Sequence, residues 1–158
     1  MQDFMRLGYR HCVGLMVVNN NGNIFTGQRL GYGSSAWQMP QGGIEKGEEA
    51  SVAAYRELEE ETSITFSHVE LLAVSKNWLS YDLPADLIPK LWKGSFRGQT
   101  QKWFLMKFVG DDTEINLKTA VPEFSSWRWS TRQQLVSSIV EFKKDLYENV
   151  LEEFGSFF

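Results

Sequence analysis

The chain holds a single cysteine, Cys12, in 158 residues. An intrachain disulfide is therefore excluded, and a thiol inside an apolar run reads as a small buried hydrophobe. That usage suits a reducing, cytoplasmic setting. Histidine is almost as scarce: His11 and His68 are the only two, and their spacing makes no ligand pair. His11, on an apolar run, is expected in the core or at a strand end. No apolar run approaches the roughly 20 residues of a membrane span. The first residues, Met1-Gln-Asp-Phe-Met-Arg, lack the apolar core of a signal peptide, and no membrane partner is expected. An excess of positive charge is missing too. Lys and Arg number 16 against 20 Asp and Glu, a net charge of −4. Any RNA contact must therefore come from a local basic patch. Internal repeats, linkers and low-complexity tracts are absent. What is present is 42% hydrophobic content, in a length that fits one domain, 1–158, with a sizeable core.

In chain order, residues 1–8 read as a loose lead-in. Residues 9–19 are apolar and β-branched and predict a buried strand. Asn19-Asn-Asn-Gly-Asn predicts a hairpin turn, with a returning strand over 24–30 and a loop over 31–36. Pro40 limits the piece before it to a short or edge strand. A helix is predicted over 48–63 and a strand over 69–79. The stretch 81–99, with turn character around Pro84, Pro89 and Gly94-Ser-Phe-Arg-Gly98, predicts a long functional loop. Further strands are predicted over 102–109 and 123–129, with a turn at 110–113 and irregular chain over 115–122. Ser130 or Thr131 is expected to cap a short helix. Phe142, Leu146, Val150 and Phe154 then repeat at four-residue spacing along a longer amphipathic one. Strands, helix, strands, helix is the order of an α+β fold, a mixed sheet with helices on its faces.

Residues 42–64 concentrate the chemistry. Gly42 and Gly43 feed the predicted helix, on which Glu57, Glu60 and Glu61 share one stripe while Glu59 points away. The stripe is costly. Like charges at i,i+3 and i,i+4 cost about 0.2–0.5 kcal/mol each, and carboxylates at the negative end of the helix dipole about 0.3–1 kcal/mol. A face selected only for solubility would carry Lys. A hard divalent cation removes the conflict, because Mg²⁺ takes oxygen ligands and bridges to substrate phosphates. The plain alternative is an acidic, solvated helix end. Ala50, Ala53 and Ala54 are small enough for another segment or a substrate to approach closely.

The spacing Gly42-x5-Glu48-x7-Arg56-Glu57-Leu58-x-Glu60-Glu61-x-Ser63-Ile64 resembles the Nudix box, G-x5-E-x7-R-E-U-x-E-E-x-G-U, with U a bulky apolar residue. Every fixed position matches except the late glycine, which is Ser63 here. That position follows the helix, where a left-handed cap is common. The exchange is expected to cost some stability or shift the cap, and it removes no ligand. The Nudix resemblance implies an α/β/α sandwich and hydrolysis of a nucleoside diphosphate linked to another group, assisted by Mg²⁺ or Mn²⁺. Other segments are similar to one subfamily, the bacterial RNA 5′-pyrophosphohydrolases, also called (di)nucleoside polyphosphate hydrolases. They include Tyr9-Arg-His-Cys-Val-Gly, Trp37-Gln-Met-Pro-Gln-Gly-Gly, Gly98-Gln-Thr-Gln-Lys-Trp-Phe and Glu123-Phe-Ser-Ser-Trp-Arg-Trp, within a similarity from about Tyr9 to Phe154. That similarity implies that Glu123 is a further metal ligand or base, and that Arg29, Tyr81, Gln99, Phe142 and Lys143 line the nucleotide site.

Read as chemistry, Glu57, Glu60 and Glu61 hold the metal. The carbonyl of Gly42 is a further ligand candidate, since glycine permits close backbone approach. A cation there neutralises the pyrophosphate, orients it and activates water. Glu57 is the first choice of general base, with a loop carboxylate as the alternative; by spacing alone Glu123 is an ordinary strand-edge acid. Arg56 orients its neighbours through charge-assisted hydrogen bonds. Arg29, Lys102, Lys143 and Lys144 are either phosphate contacts or surface charge. Tyr81, Trp92 and Phe142 are candidates for stacking on a base, and Trp103, Trp127 and Trp129 for core packing.

Two substrates compete within this reading. One is the 5′-tri- or diphosphorylated end of RNA, cut to a monophosphate that RNases attack. The other is a dinucleoside polyphosphate such as diadenosine tetraphosphate, and the subfamily resemblance favours the RNA. The alternative class is a noncatalytic nucleotide-binding module. Its mark would be lost carboxylates, and all three glutamates of the stripe are present.

Overall fold

The computed structural model describes residues 6–30 and 36–158. The expected lead-in over 1–8 and loop over 31–36 lie largely outside the described residues. The first apolar run forms β1 (Gly8–Val18), buried from Cys12 onward. The Asn19 side chain closes the next turn by accepting from the backbone N–H groups of Asn21 and Asn23, both at 3.0 Å. β2 (Ile24–Arg29) then returns antiparallel to β1. β3 (Trp37–Gln38) and β4 (Gln41–Gly43) flank Pro40, which has no N–H to give a ladder; its carbonyl accepts from the Leu15 N–H at 2.9 Å. β4 pairs with β1, Gly42 opposite Val13. The loop that enters α1 (Ala50–Thr62) is thereby tied to the centre of the sheet.

β7 (Phe96–Phe108) is the long central strand, parallel to β1. β5 (Val69–Val74) and β6 (Leu79–Asp82) pair antiparallel with it. β8 (Phe124–Ser130) pairs antiparallel with β2. The result is a mixed sheet of order β3-β2-β1-β7-β5, with β4, β6 and β8 attached to β1, β7 and β2. Alternation sorts the core into two layers. Val13, Leu15, Val17, Phe104 and Met106 face Ala53, Ala54 and Leu58 of α1. Met16, Val18, Trp103 and Leu105 face the other helices: Leu135 of α2 (Arg132–Ser138), and Leu146, Tyr147, Val150 and Phe154 of α3 (Lys144–Phe154). This is the expected α/β/α sandwich of α+β class. The small residues of α1 serve its approach to the sheet: Ala53 and Ala54 are fully buried. Thr131, rather than Ser130, caps α2 by accepting from the Gln134 N–H at 3.1 Å. Among the described residues no helix is long and apolar enough to cross a membrane.

Several boundaries differ from expectation. The strand expected over 69–79 is two strands. At Ser75 the N–H donates to the Trp103 carbonyl at 2.8 Å and the hydroxyl to the Asn77 carbonyl at 2.9 Å, which turns the chain between β5 and β6. The central strand begins at Phe96 rather than at 102, so the long loop is confined to 83–95. Gly98 is strand, not turn: a Cβ there would overlap the Tyr81 carbonyl oxygen of β6. Phe142 lies in a 3-10 turn ahead of α3 instead of inside it. His11 is exposed on β1, edge-on to Trp78 with ring centroids 5.3 Å apart. Trp103 is fully buried, whereas Trp127 and Trp129 are half-buried.

Ser63 does occupy a left-handed cap, at φ 66° and ψ 4°. That conformation costs a non-glycine residue about 1–2 kcal/mol. The Ser63 hydroxyl donates to the Asn116 carbonyl at 2.7 Å, and such a bond contributes about 0.5–1.5 kcal/mol. The two terms nearly cancel. Ser63→Gly is therefore expected to leave unfolding stability within about 1 kcal/mol, whereas Ser63→Ala keeps the strain, loses the bond and falls by about 1 kcal/mol. Urea denaturation of both variants measures this, and a large gain from Ser63→Gly would show that the hydroxyl contributes nothing.

Candidate active site

A cavity of about 1000 Å³ opens beside α1 and β4. The carboxylate and backbone candidates Gly42, Glu57, Glu60, Glu61 and Glu123 all line it. So do the nucleotide-site candidates Arg29, Tyr81, Gln99, Phe142 and Lys143. Glu59, expected to point away, is solvent-exposed but also borders the cavity. Lys102 and Lys144 do not line it: Lys102 donates to the Lys76 carbonyl at 3.3 Å, and Lys144 pairs with Glu141 at 3.1 Å.

Arg56 organises the acidic helix from behind the cavity. Its Nε and Nη2 each donate to the Glu48 carboxylate at 2.8 Å. Nη1 donates to Glu57 Oε1 at 2.8 Å and to Glu60 at 3.2 Å, and Nη2 also reaches the Gly43 carbonyl at 2.9 Å. One guanidinium thus ties the entry loop to the helix and fixes one oxygen of Glu57. The Arg56 hydrogen bonds, with one from the Glu45 N–H, hold the Glu48 carboxyl down at about 2. α1 starts at Ala50 rather than at 48: the Glu48 N–H donates to the Glu45 carbonyl in the preceding turn, and Glu49 is extended at φ −74° and ψ 148°.

Glu57 packs directly on β4: a Cβ at position 42 would overlap its carboxyl group. Burial raises the pKa of Glu57, and the hydrogen bond and charge of Arg56 oppose that rise. Glu61 is 5% exposed. Burial first, then the charges of Glu57 and Glu123, push its pKa well above the carboxylate range. Its Oε2 is buried with no hydrogen-bond partner. The Thr119 hydroxyl is in the same condition and borders the same cavity. An unmade buried hydrogen bond costs about 1–3 kcal/mol, more for a charged group. The two residues that carry these atoms line one cavity, an arrangement that a ligand from outside the chain would complete. The cavity there is lined by the carboxylates of Glu57, Glu60, Glu61 and Glu123, a set that fits a hard divalent cation. Among the described residues, no three His, Cys, Asp or Glu side chains already stand together as a ligand cluster; one Glu57 oxygen leans on Arg56 instead.

The other end of the cavity is aromatic and basic. The Tyr81 and Phe142 rings lie 5.8 Å apart, and Lys143 Nζ sits 5.1 Å from the Tyr81 centroid. Burial, then the Arg29 charge, lowers the Lys143 pKa to about 7. A chain of amides fixes Gln99. Gln101 Nε2 donates to Gln99 Oε1 at 2.7 Å and to Gln41 Oε1 at 2.8 Å, while the Trp103 indole N–H donates to Gln101 Oε1 at 3.0 Å. The Gln99 oxygen is thus engaged within this network. Arg10, which the sequence did not single out, also lines the cavity, its guanidinium 5.5 Å from the Trp92 ring centroid and pressed on Gly43.

The family described as the NUDIX domain matches residues 8–150. Similar curated proteins include an RNA pyrophosphohydrolase of Roseobacter denitrificans, 54% identical over 97% of this chain and 96% of the relative. Another, from Rickettsia conorii, is 51% identical over 95% of this chain and 92% of the relative. Among solved structures, the E. coli dihydroneopterin triphosphate pyrophosphohydrolase shares the fold at a TM-score of 0.72 and 18% identity, over 92% of this chain and 99% of that one. A C. elegans Ap4A hydrolase binary complex shares it at 0.68 and 21%, over 94% and 99%. The matched residues take in the sheet, the cavity and the glutamate helix together, and the chain belongs to the NUDIX family.

Proposed function

We propose that the protein is a divalent-metal-dependent pyrophosphohydrolase, a single domain over 1–158 working in the cytoplasm. It converts 5′-tri- or diphosphorylated RNA to 5′-monophosphorylated RNA and takes dinucleoside polyphosphates as second substrates. The observation that carries the reading is the buried, unpartnered Oε2 of Glu61, in a cavity it shares with Glu57, Glu123 and an aromatic, basic far end. The names of the relatives support RNA as the main substrate.

Glu57, Glu60, Glu61, Glu123 and the Gly42 carbonyl would hold the metal, Mg²⁺ in the first instance with Mn²⁺ able to replace it. Bound there, it neutralises the phosphate chain and makes water easier to deprotonate. The chain's own groups do the rest. Glu57 takes the proton of the attacking water at Oε2, the oxygen that Arg56 leaves open, and Glu123 is the second choice of base. Arg29 and Arg10 counter phosphate charge. Tyr81 and Phe142 hold the base, and stacking contributes about 1–3 kcal/mol per base. Gln99 offers its amide N–H groups, and Lys143 its amine.

A paired turnover assay tests this reading, setting 5′-triphosphorylated RNA against diadenosine tetraphosphate with Mg²⁺. The higher kcat/KM is expected on RNA. The reverse order would make the protein a dinucleotide hydrolase, and no turnover on either would make it a binding module.

Metal dependence should also appear in stability. Glu57 and Glu61 have folded pKa values raised above their unfolded ones, so the folded chain binds more protons than the unfolded chain. Without metal, stability therefore falls as pH rises from about 4.5 through the folded values. Glu48 acts oppositely. Held at about 2, it contributes stability that is lost only as pH falls below about 4.5. In EDTA the melting temperature is expected to drop between pH 5 and 8, and millimolar Mg²⁺ should raise it more at pH 8 than at pH 5. An equal Mg²⁺ effect at both pH values would remove these carboxylates from the metal site.

A further inference from the structure

Lys143 and Lys144 are neighbours in sequence with opposite surroundings. Lys144 is 36% exposed at its side chain and paired with Glu141. Lys143 is 4% exposed, faces the cavity, and among the described residues its amine meets no carboxylate and no hydrogen-bond acceptor. Its partner is the Tyr81 ring face, 5.1 Å from Nζ to the centroid. An ammonium on a side chain this deeply buried loses much of its hydration, and the neutral amine is the form that escapes the cost. Burial and the Arg29 charge on β2 act in that direction, while Cys12 on β1 and Glu61 on α1 oppose it.

A neutral amine opening on a cavity with arginines is a nucleophile beside an anion site. We propose that Lys143 is a site of covalent acylation by acyl phosphates, mixed carboxylic–phosphoric anhydrides whose phosphate half is held by the cavity arginines while the carbonyl carbon meets Nζ. The amine lone pair forms the C–N bond. The C–O bond to phosphorus-bound oxygen breaks, inorganic phosphate leaves with the electron pair, and the proton lost from nitrogen passes to that phosphate. The product is a neutral amide against Tyr81. It ends the cation–π contact, fills space at the Phe142 end and removes a positive charge that a phosphate chain would meet. The modification itself stands on the geometry of Lys143; its effect on turnover rests on the proposed function.

The probe is acetyl phosphate, added to the full chain at pH 7.5. Cleavage at acidic residues yields a peptide holding both lysines, and fragment masses tell them apart. At this pH the neutral fraction of an amine titrating near 7 exceeds that of an ordinary lysine by more than about a hundredfold, partly offset by lower nucleophilicity. Lys143 is expected to acetylate at least about tenfold faster than Lys144, and excess inorganic phosphate should slow only Lys143. Equal rates, or faster labelling of Lys144, would overturn the proposal. In an active preparation the acetylated chain should show a raised KM with little change in kcat. Acetylation of Lys143 with unchanged KM would overturn the effect on turnover. A chain inactive before labelling would instead count against the proposed function.

Discussion

Glu57→Gln is expected to lower kcat by about 10²–10⁴-fold, the range that a positioned general base contributes, with no loss of fold. The reasoning starts at Arg56. Its Nη1 donates to Glu57 Oε1 at 2.8 Å, and the amide oxygen of glutamine accepts that bond in the same place. What disappears is the negative charge and basicity of the other side-chain atom. Removing the charge also relieves Glu61, whose pKa Glu57 helps to raise. In EDTA at pH 8 the variant should therefore be as stable as the parent or more so, while Mg²⁺ should stabilise it less. A merely structural glutamate gives the opposite pair of results, lower stability and intact turnover. Glu123→Gln separates the two candidate bases. If Glu57 is the base, Glu123→Gln weakens metal affinity and leaves the acid limb of the pH–rate profile in place. If the acid limb moves with Glu123 instead, the roles are exchanged. Full activity in both Glu57→Gln and Glu60→Gln would place the metal elsewhere.

Much of this site is readable from sequence because a helix has a fixed period. At 3.6 residues per turn, Glu57, Glu60 and Glu61 must share a stripe wherever α1 lies, and all three border the cavity. The electrostatic cost of that stripe is itself a signal, and Arg56 was legible as its organiser by charge alone. The sheet contributions are harder. A strand residue's role depends on which strand lies beside it, and local pattern does not specify that. Arg10 was overlooked because nothing in Tyr9-Arg-His marks its guanidinium as the one folded against Gly43. Thr119 lies in irregular chain and shows itself only through a hydroxyl buried without a partner. Of the basic candidates, Lys143 lines the cavity and Lys144 does not, although both lie in the same short stretch. The misread start of β7 has a similar cause. Glycines around Phe96 and Arg97 suggested a turn, whereas Gly98 is required by the close approach of β6.

Gly42→Ala is the most revealing substitution outside the carboxylates, with an expected fall in kcat of about 100-fold, the loss that a misplacement of about 1 Å produces. A Cβ at position 42 would overlap the carboxyl group of Glu57. The atoms in the way belong to the end of a flexible side chain, not to backbone, so the sheet need not move. β4 keeps its pairing with β1, Gly42 opposite Val13, and alanine is tolerated in a strand at a cost within about 1 kcal/mol. Glu57 must swing aside instead, breaking its bond to Arg56 or leaving the cavity. Thermal unfolding should therefore shift by only a few degrees while turnover collapses, a split that a folding defect does not give. Gly43→Ala is the internal control. Its Cβ would press on the Arg10 guanidinium, a substrate-side group in the proposed scheme, so KM should rise with kcat held. If Gly42→Ala is as active as the parent, the Glu57 carboxylate has no fixed task beside β4, and the base must be sought at Glu123.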